Sequence, residues 1–523
     1  MSDSLQRMLD KGSQLLRAGQ LEEALDFAKR LLAQFPGQPV VHLFAADAAN
    51  MNGDLTAAIR CLEILPPGLS NAQVLLRKAE LLFSARQRGA ALETARAAAE
   101  LVESEEWQLR TVGRLFSDCY DQEGARAWLL RAHQTLPESP RILYDLALSE
   151  FHLNLPEDAE GHIESLLQKE PSHSGALHLR SALRTQTEEN NHVADLKQRL
   201  EEPRLPVNMV TAANFSLAKE YEDLQQYEES FAALEAGAQA YRQTLSYDSA
   251  DELASQEAIR RVFTRDAFEA LGDGFEDISP IFVIGMPRTG TTLVERMLGS
   301  HSEAVSIGEF TEFPLLFTEM MRAAEAGAST ASGNDLTLSV NFQELGRRYS
   351  AAARQLAGDS PRFIDKLPYN FLYCGYILAA LPGSRVIHLT RDPLDTCYAI
   401  YKTLFFGAYS YSYNLDELVD YFISYRKQMD HWHEVLPGRI LDVSYEQLVR
   451  EPEQQARRVL KWCDLPWEEA VLKFHEQDSP SMTASAMQVR KPVNTESIGA
   501  WQRAQKGFDS VRERLQEAGL ITG

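Results

Sequence analysis

The stretch Ile281-Phe-Val-Ile-Gly-Met-Pro-Arg-Thr-Gly-Thr-Thr-Leu293 decides how this chain is read. Its apolar, β-branched start has the length of a fully buried parallel strand. From Gly285 onward it spells G-x-x-x-x-G-T-T, a phosphate-binding loop that opens a helix. Backbone N–H groups from Arg288 to Thr292, at a helix N-terminus, favour a bound anion. The lysine that reaches the β- and γ-phosphates of a nucleoside triphosphate is missing. Thr291 stands in its place, and the positive charge lies inside the loop on Arg288. This disfavours a polyphosphate that transfers its terminal phosphoryl group. A single 5′-phosphate carrying some other group fits better, which points away from a kinase.

Downstream, short apolar strands alternate with helices at Arg362–Ile364, Arg385–Leu389 and Arg439–Val443. That alternation predicts a central parallel sheet covered on both faces, a three-layer α/β domain over residues 280–523. Lys366, in Phe363-Ile-Asp-Lys-Leu-Pro368, directly follows a predicted strand. A lysine there points into the crevice where such sheets bind ligands. Ala326 to Gly333 reads as a small-residue loop, mobile enough to admit substrate.

Upstream, the chain repeats. Ala24, Ala58, Ala91, Ala125 and Ala159 are separated by 34, 33, 34 and 34 residues, and Pro36, Pro137 and Pro171 each follow one of them by 12. This is the period of a tetratricopeptide helix–turn–helix unit. The small residue lets paired helices approach, and the proline stops the second helix. The second unit closes early, at Pro66-Pro67. The register breaks over Gln186 to Pro206 and resumes from Phe215 to Tyr241, with Ser230 in the alanine position. The expected organisation is an α-helical solenoid over residues 1–245, a helical linker over 246–279 around the charged segment Ser249 to Leu271, then the α/β domain. Such arrays present surfaces to peptides or partner proteins; recognition and bracing of the second domain are both open.

The chain has 523 residues and a formal net charge of −23, so an anionic ligand needs a locally basic pocket. The acidic balance argues against nucleic-acid binding. The five cysteines (Cys61, Cys119, Cys374, Cys397, Cys463) are odd in number and lack C-x-x-C spacing. They read as free thiols of a reducing compartment. Ser2 to Gln14 is polar and unlike a signal peptide. No apolar run is long enough to span a membrane, so a cytoplasmic location is expected.

Pro287-Arg-Thr-Gly-Thr-Thr-Leu293 resembles the 5′-phosphosulfate loop of the sulfotransferase superfamily, most closely its tyrosylprotein sulfotransferase branch. The similarity runs from about Pro280 to about Trp501, with the motifs in family order. It implies 3′-phosphoadenosine 5′-phosphosulfate as co-substrate and no metal in the reaction, and no metal-ligand spacing occurs in the sequence. It further implies that Arg288, Thr289, Gly290, Thr291 and Thr292 hold the 5′-phosphate and that Lys366 contacts the transferring sulfuryl group. In Val386-Ile-His-Leu-Thr-Arg-Asp-Pro393, Arg391 matches the family's 3′-phosphate arginine, whose planar fork suits phosphate. Ala399 and Thr403 stand where the family's other clamp residues would be, and Tyr398, Tyr401 and Lys402 are candidates to compensate. His388, inside the same apolar strand, reads as a satisfied core histidine rather than a base.

Val443-Ser-Tyr-Glu-Gln-Leu448 is similar to the family segment whose tyrosine, here Tyr445, packs near the nucleotide. Ser485-Ala-Met-Gln-Val-Arg-Lys-Pro-Val-Asn494 resembles the segment that folds over the donor, which implies Ser485 at the sulfuryl group and Gln488, Arg490 and Lys491 around the nucleotide. A family lysine beyond the asparagine is Ala500 here. Ser306-Ile-Gly-Glu-Phe-Thr-Glu312 resembles the family's base motif. Glu309 lies 21 residues beyond the loop arginine, as the family base does, while anchoring on Gly-Glu places Phe310 there. Glu309 is the expected base, with Glu312 next and His301 as an outside candidate.

The resemblance implies sulfuryl transfer to a hydroxyl acceptor, with tyrosine in a peptide or protein first. Three alternatives stay open at this level: a carbohydrate or small-phenol acceptor, an ATP-dependent phosphotransferase, and a repeat-mediated binding protein whose catalytic domain is impaired.

Overall fold

The computed structural model describes residues 3–327, 335–476 and 493–522. By contacts the chain divides into two compact units, Met1–Pro171 and Ser172–Gly523.

The first unit is built of paired helices. They run Asp3–Arg17 with Leu21–Gln34, Pro39–Met51 with Leu55–Glu63, Ala72–Ser84 with Arg88–Ala99, Glu106–Asp118 with Gln122–Thr135, and Pro140–His152 with Pro156–Lys169. The five repeat alanines are each 0% exposed. Each sits where a larger side chain would push its helix pair apart. Pro36, Pro137 and Pro171 fall just past a helix end, where a missing N–H costs nothing. Asp54, Asn71, Asp121 and Ser139 cap the helices that follow them by accepting a backbone N–H.

The second unit begins with helices Ser174–Ala182 and Val193–Leu200, the latter inside the stretch where the repeat register breaks. The pair Val207–Asp223 and Tyr227–Arg242 then packs on the α/β elements. Glu222 takes Lys402 at 2.9 Å and Arg503 at 2.8 Å, and Arg242 pairs with Glu417 at 2.7 Å. Phe231 lies between Tyr401 and Phe508. The charged segment expected as a linker forms helices Ser249–Val262 and Arg265–Glu269. The first of these rests on the long helix Leu415–Val435, with Arg260 donating to Gln428.

Five parallel strands form the sheet: β1 (Pro280–Gly285), β2 (Ala304–Ser306), β3 (Arg362–Asp365), β4 (Arg385–Thr390) and β5 (Ile440–Ser444). Their order is β2-β3-β1-β4-β5. Strand β1 is central and buried throughout. Side chains on a strand alternate between faces. Ile281 and Val283 join the apolar cluster under helices Thr291–Gly299 and Pro452–Trp462. Phe282 on the other face stacks on Tyr349 with ring centres 5.5 Å apart. After β1 the chain leaves for the sheet edge and returns through β3, so the carboxyl ends of β1, β3 and β4 open onto a topological switch point.

Candidate active site

The loop after β1 needs its glycines because it runs against two neighbours. A Cβ on Gly285 would meet the carbonyl oxygen of Leu389 at 2.8 Å, and one on Gly290 would meet the Tyr445 ring at 2.7 Å. Gly290 has φ +98° and Arg288 has φ +67°, the latter a strained value for a residue with a side chain. Thr289 closes the turn by donating its hydroxyl to the Met286 carbonyl at 2.8 Å. Thr291 and Thr292 begin the helix, which leaves their backbone N–H groups at its start.

Two guanidiniums are close enough at this loop for one charge to act on the other. Burial and the nearby charge of Arg391 push Arg288 down to about 10. Arg391 lies over the Tyr445 ring at 4.8 Å and donates to the carbonyls of Arg288 at 2.9 Å and Ser497 at 2.5 Å. Two cations held this close at the start of a helix favour an anion between them. The turn carrying Arg391 is held by groups the sequence reading missed. Glu446 accepts the Asp392 N–H at 2.8 Å, and Asp395 accepts the N–H groups of Gly499 at 2.6 Å and Trp501 at 3.0 Å. Asp395 thereby ties the segment around Trp501 to the turn that carries Arg391.

The compensating candidates for the 3′-phosphate have other partners. Lys402 pairs with Glu222, Tyr401 packs on Phe231, and Tyr398 is buried beneath Lys402. Burial works against charge on Glu222, but Lys402 and Arg503 outweigh it and hold its carboxyl below the usual range.

On the other side of β1, pairing between β2 and β3 sets the chemistry. Ser306 lies opposite Ile364. The ladder continues as Ile307 donates to the Ile364 carbonyl and Lys366 donates its N–H to the Gly308 carbonyl, both at 3.0 Å. Gly308 turns there with φ +72°. This register brings Glu309 beside Lys366, and the two side chains form an ion pair. Lys366 is buried, whereas the Glu309 side chain is 44% exposed and open to an incoming group. Glu312 instead begins the helix Glu312–Gly327 and is buried. The ring nitrogens of His301 are both taken: Nε2 donates to the Pro466 carbonyl at 2.9 Å, and Nδ1 accepts the Glu303 N–H at 3.0 Å.

Glu295 is a neighbour of Lys366 that the motifs do not mark. It lies one turn beyond Thr291, 3.7 Å from Lys366, and accepts the Ser306 hydroxyl at 2.6 Å. Lys366 therefore sits between two carboxylates. The signal in the sequence is a lone acid flanked by the apolar Leu293, Val294, Met297 and Leu298. Ser485, Gln488, Arg490 and Lys491, and nearly all of the small-residue loop, lie outside the described residues.

Asp365, next to Lys366, accepts the Tyr349 hydroxyl at 2.7 Å on Oδ2, while its other oxygen is buried without a hydrogen bond. Burial pushes its carboxyl up to about 8. A raised acid contributes stability that is full below the unfolded value near 4 and is lost as pH rises through about 8. The loss approaches about 1.4 kcal/mol per pH unit within that window. Asp365→Asn keeps the acceptor for Tyr349 and removes the ionisation. Urea melts at pH 5, 7 and 9 are expected to show the wild type losing stability with pH and the variant gaining on it. Parallel pH dependences in the two proteins would contradict a neutral Asp365.

His388 is buried on β4, with Nδ1 at 2.7 Å from Asp442 on β5 and Nε2 against the Tyr425 hydroxyl. Both of its ring nitrogens are engaged, and neither is left free as a base would be.

Residues 280–469 match the sulfotransferase family, and residues 15–69 match the tetratricopeptide repeat. An uncharacterised protein of Aquifex aeolicus (strain VF5) is 33% identical over 330 residues, 62% of this chain and 43% of that protein. The protein-tyrosine sulfotransferase of Drosophila melanogaster is 26% identical over 306 residues, 53% of this chain and 57% of the relative. The chain thus spans about half the length of these relatives. The sulfotransferase domain from the Synechococcus PCC 7002 olefin synthase is 18% identical with a TM-score of 0.34, over 44% of this chain and 89% of that one. Among the described residues, no helix is long and apolar enough to cross a membrane. The chain joins a tetratricopeptide repeat region to a domain similar to the sulfotransferase family, the two families its motifs resemble.

Proposed function

We propose that this protein transfers a sulfuryl group from 3′-phosphoadenosine 5′-phosphosulfate to a hydroxyl acceptor, with tyrosine in a peptide or protein as that acceptor. The observation that carries the reading is the pairing of two half-sites across β1. One is a phosphate loop that replaces lysine with the Arg288–Arg391 pair, and the other is the Glu309–Lys366 ion pair. The co-substrate supplies the sulfuryl group and a 5′-phosphate leaving group.

Arg288, the hydroxyls of Thr291 and Thr292 and the backbone N–H groups from Thr289 to Thr292 receive the negative charge that builds on that phosphate. Lys366 is placed to leave Glu309 for the sulfuryl oxygens, which frees the carboxylate to take the acceptor's proton. Glu295 holds the lysine on the crevice side during that exchange. Arg391 and Tyr445 hold the nucleotide end. Ser485, Gln488, Arg490 and Lys491 complete the donor site on the strength of the motif alone. The repeats supply a peptide-binding surface for the acceptor, and five unpaired thiols suit a reducing, cytoplasmic setting.

A melt with added nucleotide tests the reading. Adenosine 3′,5′-bisphosphate at 100 times its dissociation constant is expected to stabilise the protein by about 2.7 kcal/mol, with no shift from ATP–Mg²⁺. Stabilisation by ATP–Mg²⁺ alone would overturn the donor and favour phosphoryl transfer.

A further inference from the structure

Three donor atoms from three separate elements converge beside β4. His388 on β4 and Asp442 on β5 are direct cross-strand partners. His433, on the last turn of the helix Leu415–Val435, reaches the same carboxylate from above. His388 Nδ1 is 2.7 Å from the Asp442 carboxylate and His433 Nε2 is 3.1 Å from it, and the three ligand atoms all lie within 4.8 Å of one another.

We infer that His388, His433 and Asp442 form a binding site for one divalent transition ion, zinc being the best fit, which clamps the long helix to the sheet. Two imidazoles and one carboxylate match the ligand set of borderline ions and not of magnesium or calcium, which take oxygen. Zinc bonds of about 2.0–2.1 Å place tetrahedral ligands about 3.3 Å apart, so the two nitrogen–oxygen separations open slightly and the overall spread, within 4.8 Å, closes around the ion. The ion replaces the hydrogen bonds between the imidazoles and Asp442. Each neutral ring keeps its one proton on the nitrogen away from the ion, which for His388 is Nε2 donating to the Tyr425 hydroxyl. Only a second proton on a cationic ring passes to solvent.

Two further features suit a metal. A ligating histidine normally engages its second nitrogen with an outer partner, and His388 Nε2 is held by the buried Tyr425 hydroxyl. The Asp442 and His433 side chains are 48% and 35% exposed, which gives an entry path and room for water as the fourth ligand. Arg426 is close enough for its charge to act on both imidazoles and opposes a cation there. Tyr425 also accepts the Met286 N–H at the start of the phosphate loop, so the clamp bears on the donor side of the fold. The inference does not depend on the sulfuryl-transfer reading.

The test uses untagged full-length protein freed of metal by dialysis against a chelator. Calorimetric titration with ZnCl₂ is expected to show saturable binding at one site per chain. MgCl₂ is expected to give no heat, and Co²⁺ a visible d–d band. His433→Ala and Asp442→Asn are expected to weaken zinc by roughly 100-fold or more and to abolish the band, and Tyr425→Phe to weaken it by about 10-fold. Cys61→Ser combined with Cys119→Ser should leave zinc binding unchanged. The partly exposed His433 carries the test if the Asp442 variant fails to fold. Absence of stoichiometric zinc, zinc that survives His433→Ala, or zinc lost with the two cysteines would each overturn the assignment.

Discussion

Glu309→Gln is expected to lower turnover by roughly 10²–10⁴-fold while leaving the affinity for adenosine 3′,5′-bisphosphate unchanged. The amide keeps the shape of the carboxylate and cannot take a proton. The variant also removes half of the ion pair with Lys366, whose charge then rests on Glu295 alone at 3.7 Å. Lys366 is therefore held in place, and only the activation of the acceptor is lost. Steady-state turnover beside a nucleotide melt separates the two effects. Glu312→Gln serves as the control, because Glu312 is buried at the start of the next helix. If Glu312→Gln loses turnover and Glu309→Gln keeps it, the base has been placed one helical turn too early.

Arg288→Ala is expected to act with opposite signs on the free and the nucleotide-bound protein. A hydrogen-bonded charge contributes about 1.5–3 kcal/mol, so nucleotide affinity should fall by about 10- to 100-fold. At the concentration used above, stabilisation would then drop from about 2.7 to between about 0.4 and 1.4 kcal/mol. The free protein should melt no lower than wild type. Burial and Arg391 already push the Arg288 guanidinium down to about 10, so its charge is a cost until an anion arrives. A melt with and without nucleotide reads both effects. A variant that loses stability in both states would show that Arg288 is a structural residue.

Local patterns carried what the sequence determined by itself. The phosphate loop is legible because its constraints lie within a dozen residues: a buried strand, glycines at the two close approaches, and a helix start. The repeats are legible because a small residue is needed once per helix pair, and all five alanines are buried where their spacing placed them. Lys366 is legible because the end of a parallel strand is a fixed direction in such a fold.

Strand β2 was not legible. At three residues, Ala304–Ser306, it is too short to show any period, and only pairing with β3 makes it a strand. That pairing also decides that Glu309 meets Lys366, a contact for which the motif carries no signal. Glu295, Asp395 and Glu446 carry no local signature, because each is defined by a partner on another element.

The same holds for ownership of the later helices. Their helical pattern continues to Tyr241, yet from Ser172 onward the chain groups by contacts into the unit that holds the α/β elements. Lys402 lies beside a candidate phosphate in the motif and against Glu222 in the fold. His388, His433 and Asp442 are spread over 55 residues of sequence and share one carboxylate in space. Local propensity and periodicity depend on neighbours along the chain and can be read in order. Ion pairs, strand register and ligand clusters depend on which distant segments burial brings together, and only the folded structure decides that.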